Sequence, residues 1–325
     1  MTGMQPRQIV AVIFPGLQSL DLTGPLEVFS LANRLSGRSE YTVTVAAARA
    51  GTVVTSSGLG IVAGVSVRRV VDDPDTLLVV GGLGIEEAAA DTELVGSIRR
   101  LAGRSRRVAS VCTGAFLLAE AGLLDGRRAA THWSAAGTLA DRYPAVRVDA
   151  GPIFVRDGNV ATSAGITAGI DLALALVQED AGRDLALAVA RQLVVFLQRP
   201  ADQRQLSVQL VAQLTDSDAL REAQRLVAEQ PGADLSVRAL AAHVGMSERH
   251  FARCFRAEVG EPPGRYVALA RVEAARRMLQ DSSHTVAEVA SACGFGTPET
   301  MRRTMVRVLG AAPSELRRRT RAMAS

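Results

Sequence analysis

The chain contains no lysine; all 37 of its basic residues are arginine. A coding bias toward GC-rich codons explains that uniformity, but arginine still matters where it lands, because its planar fork reads guanine edges and clamps phosphates. Cysteine is also scarce. Cys112, Cys254 and Cys293 are the three in 325 residues. They are too few for a disulfide framework and match no zinc-ligand spacing, so no structural metal is expected and a reducing cytoplasm fits best. No apolar run approaches the roughly 18–20 residues that span a bilayer, which excludes a membrane helix. The opening MTGMQPRQIVAVIF lacks the basic segment, apolar stretch and cleavage site of a secretory leader, and Met4 offers an alternative start. There is no low-complexity segment.

The feature that is present twice is a short pattern near the C-terminus. LSVRALAAHVGMSERHFARCFRAEVG runs from Leu235 to Gly260, and HTVAEVASACGFGTPETMRRTMVRVLG from His284 to Gly310. In each, an apolar-periodic helix ends at a glycine, Gly245 or Gly294, and Ser247 or Thr297 opens a second helix. Glycine permits a left-handed turn and the hydroxyl satisfies free amides of the next helix, which together describe a helix-turn-helix. One match is weak; two in tandem, both with arginines on the second helix, indicate a reader of double-stranded DNA. Charge agrees. From residue 233 onward 15 arginines face 9 carboxylates, against 22 and 24 in the rest of the chain. A basic C-terminal third beside a near-neutral body is the footprint of a nucleic-acid module joined to something else.

The N-terminal two-thirds reads as α/β. Apolar strands are expected at 8–14, 42–48, 76–80, 107–111 and 159–162, with helices at 24–35, 91–103, 114–121, 133–142 and 166–179. Near-continuous apolar strands alternating with amphipathic helices predict a parallel sheet with helices on both faces. Beyond residue 183 the pattern is helical, with apolar residues at 185–189 and 193–197, interrupted by the polar 199–205. The expected division is an α/β domain over 7–198, a linker over 199–219, and an all-α domain with two helix-turn-helix motifs over 220–322.

The sharpest chemical feature of the body is Arg107-Val-Ala-Ser-Val-Cys112-Thr-Gly-Ala-Phe. A strand ends at Cys112 and a helix begins at once, which puts the sulfur at the carboxyl edge of the sheet, where open α/β sheets bind ligands. A helix N-terminus facing the sulfur predicts a lowered thiol pKa and a nucleophile. The plainer reading is a small buried cysteine at a strand end.

Together with Ala121–Trp133, Val155–Leu174 and FPGLQSLDLTGPLEVF (Phe14–Phe29), that segment resembles the ThiJ/PfpI superfamily over roughly residues 7–180, in the branch that includes isocyanide hydratases. The resemblance implies a class I glutamine amidotransferase-like, flavodoxin-type fold. It places Cys112 at a nucleophile elbow with Thr113 beside it, Asp21 as the cysteine's acidic partner, and His132 near the thiol. An acid beside a thiol holds or accepts its proton, and a neighbouring histidine serves as base. Against these stand plainer roles, a turn or cap residue for Asp21 and a structural histidine beside Trp133 for His132.

The tandem repeat similarly resembles the AraC/XylS family of transcription regulators over about 220–322, best at Gly245–Leu279 and Gly294–Arg319. The two resemblances in one chain match the GlxA/AdpA-type subgroup. They imply a transcription regulator without enzymatic turnover or cofactor, whose N-terminal domain dimerises and senses a small-molecule effector through Asp21, Cys112 and Thr113. Double-stranded DNA, RNA polymerase and a second copy are the implied partners, and the nucleoid the implied place. A cysteine-dependent hydratase or amidase fused to a DNA module is the alternative.

On the first recognition helix Phe251, Cys254, Phe255 and Val259 form an expected buried stripe, which leaves Arg249, Arg253 and Arg256 on the opposite face. That face suits the major groove, with the resemblance putting base contacts at Arg249 and Arg253, and Arg256 better placed for phosphate; a solvated charged stripe is the bland alternative. On the second, Glu299, Arg302 and Arg303 are the exposed candidates, with Met301, Met305 and Val308 buried. Met305 replaces the family's usual aromatic, which predicts looser packing. Glu299 either accepts from a cytosine amino group or caps the helix. The run Arg317–Arg319 with Arg321 is expected to touch phosphates or hang free. A connecting helix over Gly264–Leu279 allows the two units to reach successive major grooves, about 34 Å apart.

Overall fold

The computed structural model describes residues 5–195, 205, 217–281, 284–309, 312–314, 316 and 317. The chain divides into two compact units, Met1–Gln205 and Leu206–Ser325.

In the first unit, β1 (Arg7–Val12), β2 (Tyr41–Ala47), β3 (Gly51–Val54), β4 (Gly60–Ala63), β5 (Val65–Ser66), β6 (Thr76–Val79), β7 (Arg107–Val111), β8 (Arg128–Ala129), β9 (Arg147–Val148), β10 (Phe154–Asp157) and β11 (Val160–Ser163) are the strands. Seven of them form the main sheet in the order β10-β11-β7-β6-β1-β2-β5. Its pairings are parallel except β10 with β11. β6 and β7 are buried along their whole length, as strands covered on both sides must be. The helices are α1 (Ser19–Ser36), α2 (Ile85–Ala90), α3 (Thr92–Ala102), α4 (Gly114–Glu120), α5 (Ala136–Arg142), α6 (Ala168–Ala181) and α7 (Arg183–Gln192). This is the largely parallel sheet with flanking helices that the alternating pattern predicts, in the flavodoxin-like arrangement that the resemblance implies.

Three local expectations need correction. α1 begins at Ser19, not at Gly24, so Asp21 sits inside its first turn and not in a preceding turn; the helix continues through Pro25 despite the breaker signal. The antiparallel hairpin β3–β4 and strand β10 are added to the expected set of strands. The helix expected over 133–142 is a 3-10 turn (Trp133–Ala135) followed by α5.

Of the linker expected over 199–219, residues 199–204 and 206–216 lie outside the described residues, as do residues 196 and 197 of the preceding apolar run. Gln205 is held on the first unit, its Nε2 donating to the carbonyls of Thr131 and Pro152 at 2.9 and 3.3 Å. In the second unit, α8 (Asp218–Glu229), α9 (Val237–His243), α10 (Glu248–Val259), α11 (Pro263–Asp281), α12 (Val286–Ala292) and α13 (Pro298–Leu309) follow in order. Gly245 and Gly294 take φ of +68° and +70° at the two helix-turn-helix turns, the left-handed backbone that asks for glycine. Two apolar clusters form. One gathers α8, α9, α10 and the first half of α11 around Phe251 and Phe255; the other gathers the second half of α11, α12 and α13 around Met301 and Met305. Among the described residues no helix is long and apolar enough to cross a membrane.

Candidate functional site

At the carboxyl edge of the sheet β7 ends and α4 begins with Cys112 and Thr113 alone between them. Cys112 takes φ of +57°, a strained backbone for a residue with a side chain. Its surroundings hold it there. Its N–H donates to the Ser163 carbonyl at 3.0 Å, and the Thr131 hydroxyl donates to its carbonyl at 2.9 Å. Gly165, at φ +104°, leaves room for the sulfur; a Cβ there would lie 2.3 Å from Cys112 Cβ and 2.7 Å from Sγ. The Thr113 hydroxyl sits against Gly82, accepting from its N–H at 2.9 Å.

Asp21 comes to the same point from α1 and is 0% exposed. Its Oδ1 accepts from the Ile166 N–H at 2.8 Å and its Oδ2 from the Gly81 N–H at 3.2 Å. It is also hydrogen-bonded to the Cys112 thiol. Burial raises the Asp21 carboxyl to about 6 against these stabilising bonds. Burial, and then the Asp21 charge, push the Cys112 thiol up to about 12. The carboxyl therefore loses its proton first, and the thiol keeps its own and donates it to Asp21. This overturns the expected lowering of the thiol pKa. The helix N-terminus is in place, but desolvation and an adjacent anion outweigh it.

His132 is half-buried at the start of the 3-10 turn. Its Nδ1 pairs with the Ser134 hydroxyl at 2.8 Å, its ring lies 5.5 Å from that of Trp133, and burial lowers its pKa. Among the described residues no hydrogen bond or ring contact joins His132 to Cys112.

In the second unit α10 is capped by Ser247, whose hydroxyl accepts from the His250 N–H, and it closes on Gly260. Phe251 and Phe255 are fully buried, while Cys254 and Val259 are half-buried against the same cluster. Arg249, Arg253 and Arg256 are all exposed. Arg253 makes one contact, Nη2 to His250 Nδ1 at 3.1 Å; Arg249 and Arg256 have no partner among the described residues. Three guanidiniums thus project from the side opposite the core.

Residues 7–179 match the DJ-1/PfpI family, and residues 240–319 match a helix-turn-helix domain. The HTH-type transcriptional regulator CdhR of Pseudomonas aeruginosa is 30% identical over 307 residues, covering 94% of this chain and 89% of its own. The HTH-type transcriptional regulator GlxA of Rhizobium meliloti is 31% identical over 299 residues, 90% of each. The chain belongs to the helix-turn-helix transcriptional regulators that carry a DJ-1/PfpI domain. The first unit is also similar to enzymes: isonitrile hydratase of Pseudomonas putida is 39% identical over 189 residues, 57% of this regulator and 77% of that protein. A solved ThiJ/PfpI family protein from Pseudomonas syringae matches 70% of this regulator and 88% of that chain, at 30% identity and a TM-score of 0.55.

The second helix of the regulator's second helix-turn-helix differs from its counterpart in the first. Glu299 neither caps α13 nor stands free. Thr297 does the capping, accepting from the Thr300 N–H at 3.1 Å, and Glu299 binds Arg302 and lies 3.9 Å from Arg303. Met301 and Met305 are fully buried and Val308 is half-buried. Met305 is thus buried where the resemblance places an aromatic. Arg317 donates to the His284 carbonyl and so ties the C-terminal segment back; Arg318, Arg319 and Arg321 lie outside the described residues. Sequence reasoning missed Arg307, exposed and without a partner among the described residues. It also missed Ile166, whose amide fixes Asp21 across 145 residues of sequence. Helical spacing from Arg303 signals Arg307, four residues on, whereas no local pattern signals Ile166.

Proposed function

We propose that this DNA-binding regulator reads its operator bases mainly through Arg249 and Arg253, with Arg256 on phosphate and α13 supplying a second, weaker contact one major groove away. The observation that carries this reading is the free arginine face of α10, set over a fully buried aromatic stripe and a capped first turn. Glu299, Arg302 and Arg303 compete with one another for partners, so α13 adds affinity more than discrimination. The first unit dimerises the protein and senses a small effector at the Asp21–Cys112–Thr113 site, acting on transcription with RNA polymerase. Genome-wide footprinting tests the reading. Arg253→Ala is expected to lose most site occupancy while the protein stays folded, and unchanged occupancy would overturn the assignment of α10.

A second reading, a cysteine-dependent hydratase or amidase joined to the DNA module, is favoured by the strained φ of Cys112 beside a buried acid. In that reading Asp21 accepts the thiol proton as sulfur attacks, and returns it to the substrate. We favour sensing, because the thiol is held protonated and His132 is engaged with Ser134. Turnover of an isocyanide or amide by the purified protein, abolished in Cys112→Ser, would reverse that preference.

A further inference from the structure

We propose that Arg271 sets the spacing and helical phase at which the two helix-turn-helix units accept DNA, and is therefore a specificity-determining positioning residue. The inference rests on the two-groove reading above.

Arg271 stands where the connecting helix changes allegiance. Tyr266, Val267 and Ala270 belong to the apolar cluster of the first helix-turn-helix, and Val272, Ala274, Ala275 and Leu279 to that of the second. Between Ala270 and Val272 the helix presents a guanidinium, half-buried, with burial pulling its pKa down and the Asp234 charge opposing that. Its Nε donates to the Pro231 carbonyl and its Nη2 to the Ala233 carbonyl, both at 2.9 Å. Residues 231–233 join α8 to α9 and so lead directly into the first helix-turn-helix. The same guanidinium also lies against the turn of the second, since a Cβ on Gly294 would come within 2.8 Å of Nη2 and 2.6 Å of the Pro231 carbonyl oxygen. Gly232 approaches from the other side; a Cβ there would meet the Ala292 carbonyl oxygen, at the end of α12, at 2.7 Å.

The two helix-turn-helix motifs are therefore joined by more than a helix. The segment before α9, the end of α12 and the side chain of Arg271 close a three-way contact in which backbone meets backbone. A planar fork with two fixed donors holds two carbonyls at a set angle, as an ammonium cannot. With the contact closed, α10 and α13 keep one separation and one rotation about α11. DNA advances about 3.4 Å and roughly a tenth of a turn per base pair, so a locked pair of readers accepts one spacing of half-sites.

The test uses the full-length protein and its selected operator, remade with one or two base pairs added or removed between the half-sites. The wild type is expected to lose about tenfold or more in affinity at a one-base-pair change. Arg271→Ala is expected to bind the optimal duplex about tenfold more weakly, yet to vary less than about threefold across the series. Gly232→Ala, which opens the contact by crowding Ala292, should flatten the series in the same way. Arg271→Lys, with one donor direction at a time, should fall between wild type and alanine, and it serves where alanine fails to fold. A purely structural role would lower affinity for every duplex by one factor and leave the spacing profile intact; that result overturns the proposal. A wild-type protein indifferent to spacing would instead remove the two-groove reading, and this inference with it.

Discussion

Arg302 donates to Glu299 through two hydrogen bonds of 2.8 Å, Nε to Oε2 and Nη2 to Oε1. The bond to Arg302 holds the Glu299 carboxyl below its usual range and raises Arg302 in return. Both side chains are exposed, so the pair contributes little stability. On the proposed DNA reading its effect falls on binding, because a guanidinium engaged at home must exchange that partner before it can meet phosphate.

Releasing it should therefore strengthen binding without sharpening it. Glu299→Gln is expected to raise affinity several-fold at low salt for cognate and unrelated duplexes alike, and to steepen the salt slope by up to about one. Fluorescence anisotropy across a salt series measures both quantities. An unchanged slope would mean that Arg302 does not meet phosphate.

The first helix carries the opposite expectation. Arg249→Ala and Arg253→Ala should each weaken operator binding by about tenfold to a hundredfold, the scale of one lost base contact, and relax preference at one position of the site. Arg256→Ala should weaken all sequences evenly and shallow the salt slope. Thermal denaturation of all three should match wild type, since the side chains lie away from the core.

The Asp21–Cys112 pair makes stability depend on pH in a set direction. A carboxyl raised from 3.8 in the unfolded chain to about 6 in the fold contributes stability that is complete below pH 3.8 and lost as pH rises through 6. Asp21→Asn cannot ionise, so its melting temperature relative to wild type should improve between pH 4 and pH 7.5. The same substitution removes the anion beside Cys112 and should speed alkylation of that thiol by iodoacetamide near pH 8, read by mass spectrometry. A wild-type rate in the variant would argue that burial alone protects the sulfur.

Gly165→Ala should be severe. The new methyl group would overlap Cys112 at 2.3 Å on a backbone of φ +104°. Overpacking and strain of that kind cost several kcal/mol together. Chemical denaturation should show the first unit destabilised by about 3 kcal/mol or more.

Much of this molecule was legible before its coordinates. Strands β1, β2, β6, β7 and β11 announce themselves as apolar runs, and the two helix-turn-helix turns by glycine followed by a capping hydroxyl. The arginine face of α10 followed from helical spacing alone. What escaped depends on distant partners. That α1 starts ahead of Pro25 is fixed by packing and not by propensity. The direction of the Cys112 pKa shift comes first from burial of the thiol itself and then from a carboxylate about ninety residues away in sequence, neither of which a motif reports. Glu299 read as a cap because spacing cannot tell a free carboxylate from one held by the next turn. Arg271 and Gly232 were silent because a contact between two repeats is invisible to the pattern of either.

The division of apolar contacts along α11 also bears on how such a reader can be inherited. Among the described residues each cluster draws on short helices and borrows half of a single long one. Neither half could be cut out and grafted elsewhere with its fold intact. The heritable module is the pair, and duplication of one half would have to be followed by co-adaptation at their seam before either copy could drift toward a new sequence.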